Sequence, residues 1–197
     1  TDDKMEKSPW YDLRDLGLSS IAIADRALNN CIELLITEGK LQRSNGIIST
    51  VNEFEKYYSL NSSWEVFTKL QPIMQWVWES MLAPQLSTCT PNDLRNYPTI
   101  WEKLQRTTVF FTIAEAAQVH SFSFTTTAII QQWEELPWQK SKILNAAEVY
   151  AVAQRLQQLA RHELAQLKQL LEKEAIACYV PSNAARQVEK LKSGLYF

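Results

Sequence analysis

Glycine is scarce in this 197-residue chain, and the four present, Gly17, Gly39, Gly46 and Gly194, are dispersed. Phosphate-cradling loops need clustered glycine so that the backbone can approach the ligand closely. Nucleotide chemistry of the Rossmann or P-loop kind is thereby excluded. Histidine is scarcer still, with two residues. His120 has no acid or cysteine beside it in sequence, and His162 sits between Arg161 and Glu163, so both read as structural or surface groups rather than acid–base catalysts. The acidic pairs Asp2/Asp3, Glu134/Glu135 and Glu172/Glu174 read as solvated charge, and no Gly-x-Ser-x-Gly nucleophile motif is present. Cys31, Cys89 and Cys178 are odd in number and widely separated, without a Cys-x-x-Cys or Cys/His grouping. That spacing points to free thiols in a reducing cytoplasm rather than to a disulfide framework or a zinc site. No apolar run approaches the roughly 18 residues of a membrane span, and the N-terminus is too charged for a secretory signal. The expectation is a cytoplasmic protein with no membrane segment, cofactor, metal or catalytic constellation.

What is present is helical pattern. A 46% hydrophobic and 21% charged composition is that of a soluble globular protein, and a net charge of −2 gives no overall pull toward polyanions. The stretch 141–178 is free of glycine and proline and rich in strong helix formers. Val149, Val152, Leu156, Ala160, Leu164, Leu167, Leu171 and Ala175 recur by threes and fours, as one buried helix face requires. At 1.5 Å per residue such a helix would be on the order of 55 Å long. Its polar side carries Arg155, Arg161, His162 and Lys168 among glutamines, with Glu163 the single acid between Val149 and Leu171.

Elsewhere the pattern predicts shorter helices. Residues 1–18 read as an extended lead-in. A helix capped by Ser19 or Ser20 follows, turns Ile23, Ala27, Cys31 or Ile32, and Leu34 or Leu35 inward, and stops at Gly39. A second runs from about 45–47 to Tyr58, burying Ile48, Val51, Phe54 and Tyr58. Ser62 with Glu65 reads as a capping box for a third, which Pro72 should kink or split near Gln71 and Pro84 closes. Pro91 after Thr90 opens one short turn, and Thr99 with Glu102 reads as a second capping box. The segment 107–113 has strand propensity but runs into AEAAQ without a turn residue, so it reads as helix. His120–Thr126 is β-rich, Thr127–Trp133 returns to helix, and Pro137 breaks the chain before the long helix. A terminal helix at 182–193 completes a single all-α domain over 1–197, a bundle of six to eight helices with shorter ones across 19–136 and the long one as its spine.

Two groups of residues are candidates for binding. Trp76 and Trp78 point roughly 200° apart on one helix, so one of them is available to a protein partner, an environment in which aromatics are enriched. Trp101, close to Lys103 and Arg106, could stack a base, although large aromatics also fill helix crossings. Beyond Gln139 cations outnumber acids. Arg155, His162 and Lys173 share one side of the long helix, Arg161 and Lys168 share an adjacent one, and Arg186 and Lys190 follow. A row of this kind can track a phosphate backbone without reading its sequence; an ordinary solvated face has the same appearance.

In architecture and charge the chain resembles the small helical, or belly, subunit of CRISPR Cascade-type RNA-guided effector complexes. The resemblance implies a subunit without activity of its own that packs beside other subunits, copies of itself among them. It also implies contact with guide RNA or target DNA through Lys and Arg on helix faces, here Arg155, Arg161, Lys168, Arg186 and Lys190. Two functions are expected from these residues. One is a non-catalytic subunit of a nucleoprotein complex in antiviral defence; the other is a helical protein–protein interaction or assembly module without nucleic acid.

Overall fold

The computed structural model describes residues 9–42, 46–119, 122–124, 129–131 and 144–181. The protein is predominantly helical, with six α-helices among these residues: α1 (Pro9–Thr37), α2 (Val51–Glu55), α3 (Trp64–Val77), α4 (Pro91–Arg95), α5 (Pro98–Ala116) and α6 (Ala146–Lys173). All-α is therefore the right class, and the long C-terminal-half helix is present. A short antiparallel hairpin, β1 (Phe122–Phe124) with β2 (Ile129–Gln131), is added to it, Phe122 opposite Gln131 and Phe124 opposite Ile129. The expected return to helix after Thr127 is corrected at 129–131, where β-branched residues favour the strand. The Pro137 break and the terminal helix at 182–193 lie outside the described residues.

The most extensive contact in the fold is between α5 and α6. The stripe read from sequence on α6 is buried at Leu156, Ala160, Leu164, Leu167 and Leu171. It meets an α5 that is buried along most of its length, Leu104, Val109, Phe111 and Ile113 included. The strand-prone segment 107–113 is helical because its threonines are satisfied within the helix. The hydroxyls of Thr107, Thr108 and Thr112 donate to the carbonyls of Lys103, Leu104 and Thr108 at 2.7, 2.8 and 2.7 Å, which removes their need for partners elsewhere. On the other side of α5, α3 contributes Val66, Phe67, Leu70 and Val77 to the same core. There Phe67 stands edge-on to Phe54 of α2, with centroids 6.3 Å apart.

Several boundaries differ from the sequence reading, each for a local reason. Residues 9–18 are not an extended lead-in: Pro9, whose fixed φ suits a first helical turn, opens α1 there. Ser20 lies inside the helix and donates its hydroxyl to the Leu16 carbonyl at 2.8 Å. Gly39 does end this region, with φ +70 and its N–H on the Ile36 carbonyl. The second helix is reduced to α2, capped by Thr50. The α3 cap is Ser63 rather than Ser62, because Ser62 is left-handed (φ 56) and held by Glu55, which accepts from its N–H at 2.8 Å. Helix α3 runs through Pro72 and departs from α geometry only at a π-helical turn, Trp78–Leu82, which a 3₁₀ turn containing Pro84 follows. The capping box at α4 is Thr90 with Asp93, both halves formed; its hydrogen bonds hold the Asp93 carboxyl below the usual carboxylate range. The box expected at Thr99 is absent, since Pro98 starts α5 one residue earlier behind Tyr97. The long helix is Ala146–Lys173 rather than 141–178, since Asn145 and Glu148 form a capping box at its start. At the other end Ala175 leaves the helix with φ 49. Its 28 residues make it about 42 Å long.

The largest correction concerns the cysteines. Cys89 and Cys178 form a disulfide across 89 positions, which removes the thiol-based argument for a reducing compartment. Nothing in either local sequence announces the pair. It arises because the chain after α6 returns to the turn before α4, where the Cys178 carbonyl accepts from Thr88 N–H and hydroxyl at 3.3 and 2.9 Å, and Ser87 Oγ donates to the Val180 carbonyl at 2.9 Å. Cys31 is free and exposed. Closing a loop of this length restricts the unfolded chain, and Cys89→Ala/Cys178→Ala is expected to lower stability by about 2–4 kcal/mol. Urea unfolding of oxidised, reduced and mutant protein checks this: reduction should shift the oxidised protein to the mutant midpoint and leave the mutant unmoved.

Candidate functional site

Helix α1 is docked with its polar side inward. Asn29 is its one buried residue among those whose side chains are described, and Asp25 and Glu33, one turn to either side, share that face. Asp25 accepts a short hydrogen bond from the Ser63 hydroxyl and another from Glu65 N–H at 3.1 Å. Ser63 Oγ in turn accepts Val66 N–H at 3.1 Å, so the α1 carboxylate orients the cap of α3. Glu33 Oε1 accepts Asn52 N–H at 3.3 Å, at the start of α2. Helix N-termini present unpaired N–H groups and partial positive charge, and that explains why acids rather than leucines face inward. The Asn29 Oδ1 atom is buried with no donor among the described residues.

The opposite side of α1 is apolar and uncovered. Leu13, Leu16, Ile23 and Leu34 are 61–69% exposed, and Ile21, Leu28 and Leu35 are at least 40% exposed. Gly17, Ser20, Ala24, Ala27 and Cys31 lie exposed between them. This reverses the expectation that Ile23, Ala27, Cys31, Leu34 and Leu35 pack inward; Ile32, the other option, is half-buried. Amphipathicity was readable in the sequence. Which face the domain would cover was not, because that depended on the α2 and α3 termini meeting α1. Contiguous exposed apolar area on this scale marks an interaction site.

The cationic residues are dispersed. Arg155 and Arg161 are exposed on α6 on different sides, whereas Lys168, on the side of Arg161, is half-buried and donates to Gln85 Oε1 at 2.7 Å. Arg186 and Lys190 lie outside the described residues, as does His120. His162 is exposed and within 2.7 Å of the Gln166 amide nitrogen. Glu163, apparently one more solvent-side residue, is buried between α5 and α6. Lys103 Nζ lies 2.6 Å from one of its oxygens and Arg106 Nη1 3.5 Å from the other. Its place three residues after Ala160 and four before Leu167 put it on the apolar stripe, the signal that it required cations opposite. Of the tryptophans, Trp76 is 48% exposed and Trp78 is half-buried against the core, in keeping with their opposed directions. Trp78 lines a groove of about 430 Å³ with Ile48, Gln71, Met74 and Thr108.

A second groove, of about 440 Å³, lies beside α5 and includes Lys56, Tyr57, Arg95, Trp101 and Arg106. The Arg95 guanidinium stacks over Trp101 at 5.0 Å and that of Arg106 over Tyr57 at 5.6 Å. Both are partly engaged already, Arg95 on the Gly46 carbonyl and Arg106 on Glu102 and Glu163. Burial, then the Glu102 carboxylate, pushes the Tyr57 phenol above its ordinary value, with Arg106 acting in the opposite direction. No group of three or more potential metal ligands occurs among the described residues, and none of their helices is long and apolar enough to cross a membrane.

Asp25→Ala, which removes the α1 acceptor from the α3 cap, is expected to cost about 1–2 kcal/mol and to raise hydrogen exchange at Glu65 and Val66. Unchanged exchange at those amides would show that α1 does not hold the cap. No protein-family model matches the chain, and no curated protein or solved structure is detectably similar to it.

Proposed function

We propose that the protein is a non-catalytic helical assembly module that joins a larger particle through the outward face of α1. The observation that carries this reading is the inverted docking of that helix: its carboxylates are consumed inside the fold while its leucines and isoleucines face out. A monomeric protein gains nothing from that arrangement, since leaving each such side chain in water forgoes about 1.5–3 kcal/mol of burial. Exposed Trp76 offers a second anchor on α3. The test is the size of the particle in which the tagged chain sediments in extracts of its native cells. Ile23→Glu/Leu28→Glu should lower that size while leaving the far-ultraviolet circular dichroism and melting temperature of the purified chain unchanged. An unaltered particle would overturn the reading.

A second reading, a nucleoprotein subunit of the kind found in CRISPR effector complexes, is favoured by the two arginine–aromatic stacks beside Lys56 and by exposed Arg155 and Arg161. Phosphate contacts weaken steeply with salt, and aromatic faces stack bases without reading sequence. Labelled single-stranded RNA should then bind at low salt and weaken at least tenfold with Arg155→Glu/Arg161→Glu. Absence of binding at low salt, or binding indifferent to the two substitutions, sinks it.

A further inference from the structure

Resting on the assembly role of the α1 face, we propose that its partner is a second copy of this chain, whose α1 crosses it antiparallel at Ala24 on a two-fold axis. An isologous contact requires a surface that is complementary to itself after a half-turn. Two crossing helices are closest at the crossing point and diverge on either side. Small residues are therefore needed at the centre and larger ones toward the ends.

The exposed face of α1 has this profile. Ser20, Ala24 and Ala27 occupy its middle, and Leu13 and Leu16 at one end match Leu34 and Leu35 at the other. A half-turn about Ala24 sets Leu13 against Leu35 of the second copy, Gly17 against Cys31 and Ile21 against Ala27. The one hydroxyl near the centre, that of Ser20, already donates to the Leu16 carbonyl, so covering it strands no polar group. Gly17 adds an independent indication. A Cβ at this position would meet nothing within 4 Å, so its own fold has no use for a glycine that weakens the helix relative to alanine. A closely approaching second backbone does have a use for it.

The face carries no charge between Leu13 and Leu35, which gives a charged partner nothing to pair with. Its exposed leucines and isoleucines offer roughly 700 Å², close to the ~800 Å² that each side contributes to a standard stable interface. Antiparallel crossing also opposes the two helix dipoles, whereas parallel crossing aligns them.

The experiment uses the full chain under conditions that keep Cys89–Cys178 oxidised. Sedimentation equilibrium across a micromolar series should give twice the chain mass, and Ala24→Glu, at an exposed helical position, should return it to the single-chain mass with unchanged circular dichroism. In a Cys31→Ser background, Ala24→Cys should cross-link between copies under mild oxidation. Wild-type Cys31 should not, being separated from its counterpart by roughly 20 Å of antiparallel helix. A chain that stays monomeric, an Ala24→Glu variant that still dimerises, or a Cys31–Cys31 link each overturns the proposal. If the purified chain is monomeric yet the cellular particle shrinks with Ile23→Glu/Leu28→Glu, the assembly role stands and the partner is a different protein.

Discussion

The fold depends on the seam between α5 and α6. Each helix contributes a continuous apolar face, and the one carboxylate within the seam, Glu163, is matched by Lys103 and Arg106 from across it. A buried charge left without a counter-ion costs far more than a missing hydrophobic contact, so the pairing sets the register of the two helices as well as their proximity. Helix α3 and the hairpin then pack on a platform already fixed. The threonines of α5 belong to the same constraint. By closing their hydrogen bonds on the preceding turn they let a sequence inclined toward strand serve as the central helix.

Much of this was legible along the chain wherever one helix face is consistently apolar. The stripe from Leu156 to Leu171, the turn at Gly39, the Thr90–Pro91 start and the helical state of residues 107–113 all follow from local chemistry. Boundaries were misplaced where two capping residues stand side by side, as with Ser62 and Ser63, or where proline competes with threonine, as at Pro98 and Thr99. The choice between such neighbours is made by a distant partner: Glu55 in the first case and the connection from α4 in the second. The Cys89–Cys178 pair and the environment of Glu163 are likewise products of tertiary return, invisible to any window of sequence. Of the candidate binding residues, the cations were correctly placed on α6 but not their dispersal, and Lys168 is held by Gln85 instead of lying free along a row.

Helix α1 shows the same limit in its sharpest form. Amphipathic periodicity specifies that a helix has two faces and assumes that the apolar one is turned inward. Here the ends of α2 and α3 present unpaired N–H groups to α1, and carboxylates answer them more strongly than leucines can. The domain is therefore complete without the apolar side of its longest helix, and that side is left for whatever the protein meets.

The disulfide gives the chain a topology that its elements alone do not convey. Residues 89–178 form a covalent ring containing α4, α5, the hairpin and α6, while α1, α2 and α3 precede the ring and are held to it by packing and hydrogen bonds only. A single backbone cut anywhere within the ring leaves one molecule of unchanged connectivity, whereas a cut before Cys89 produces two pieces joined by nothing but the core. Under oxidising conditions the outward-facing helix thus belongs to the separable part of the protein, and the α5–α6 platform to the part that proteolysis alone cannot take apart with one strike.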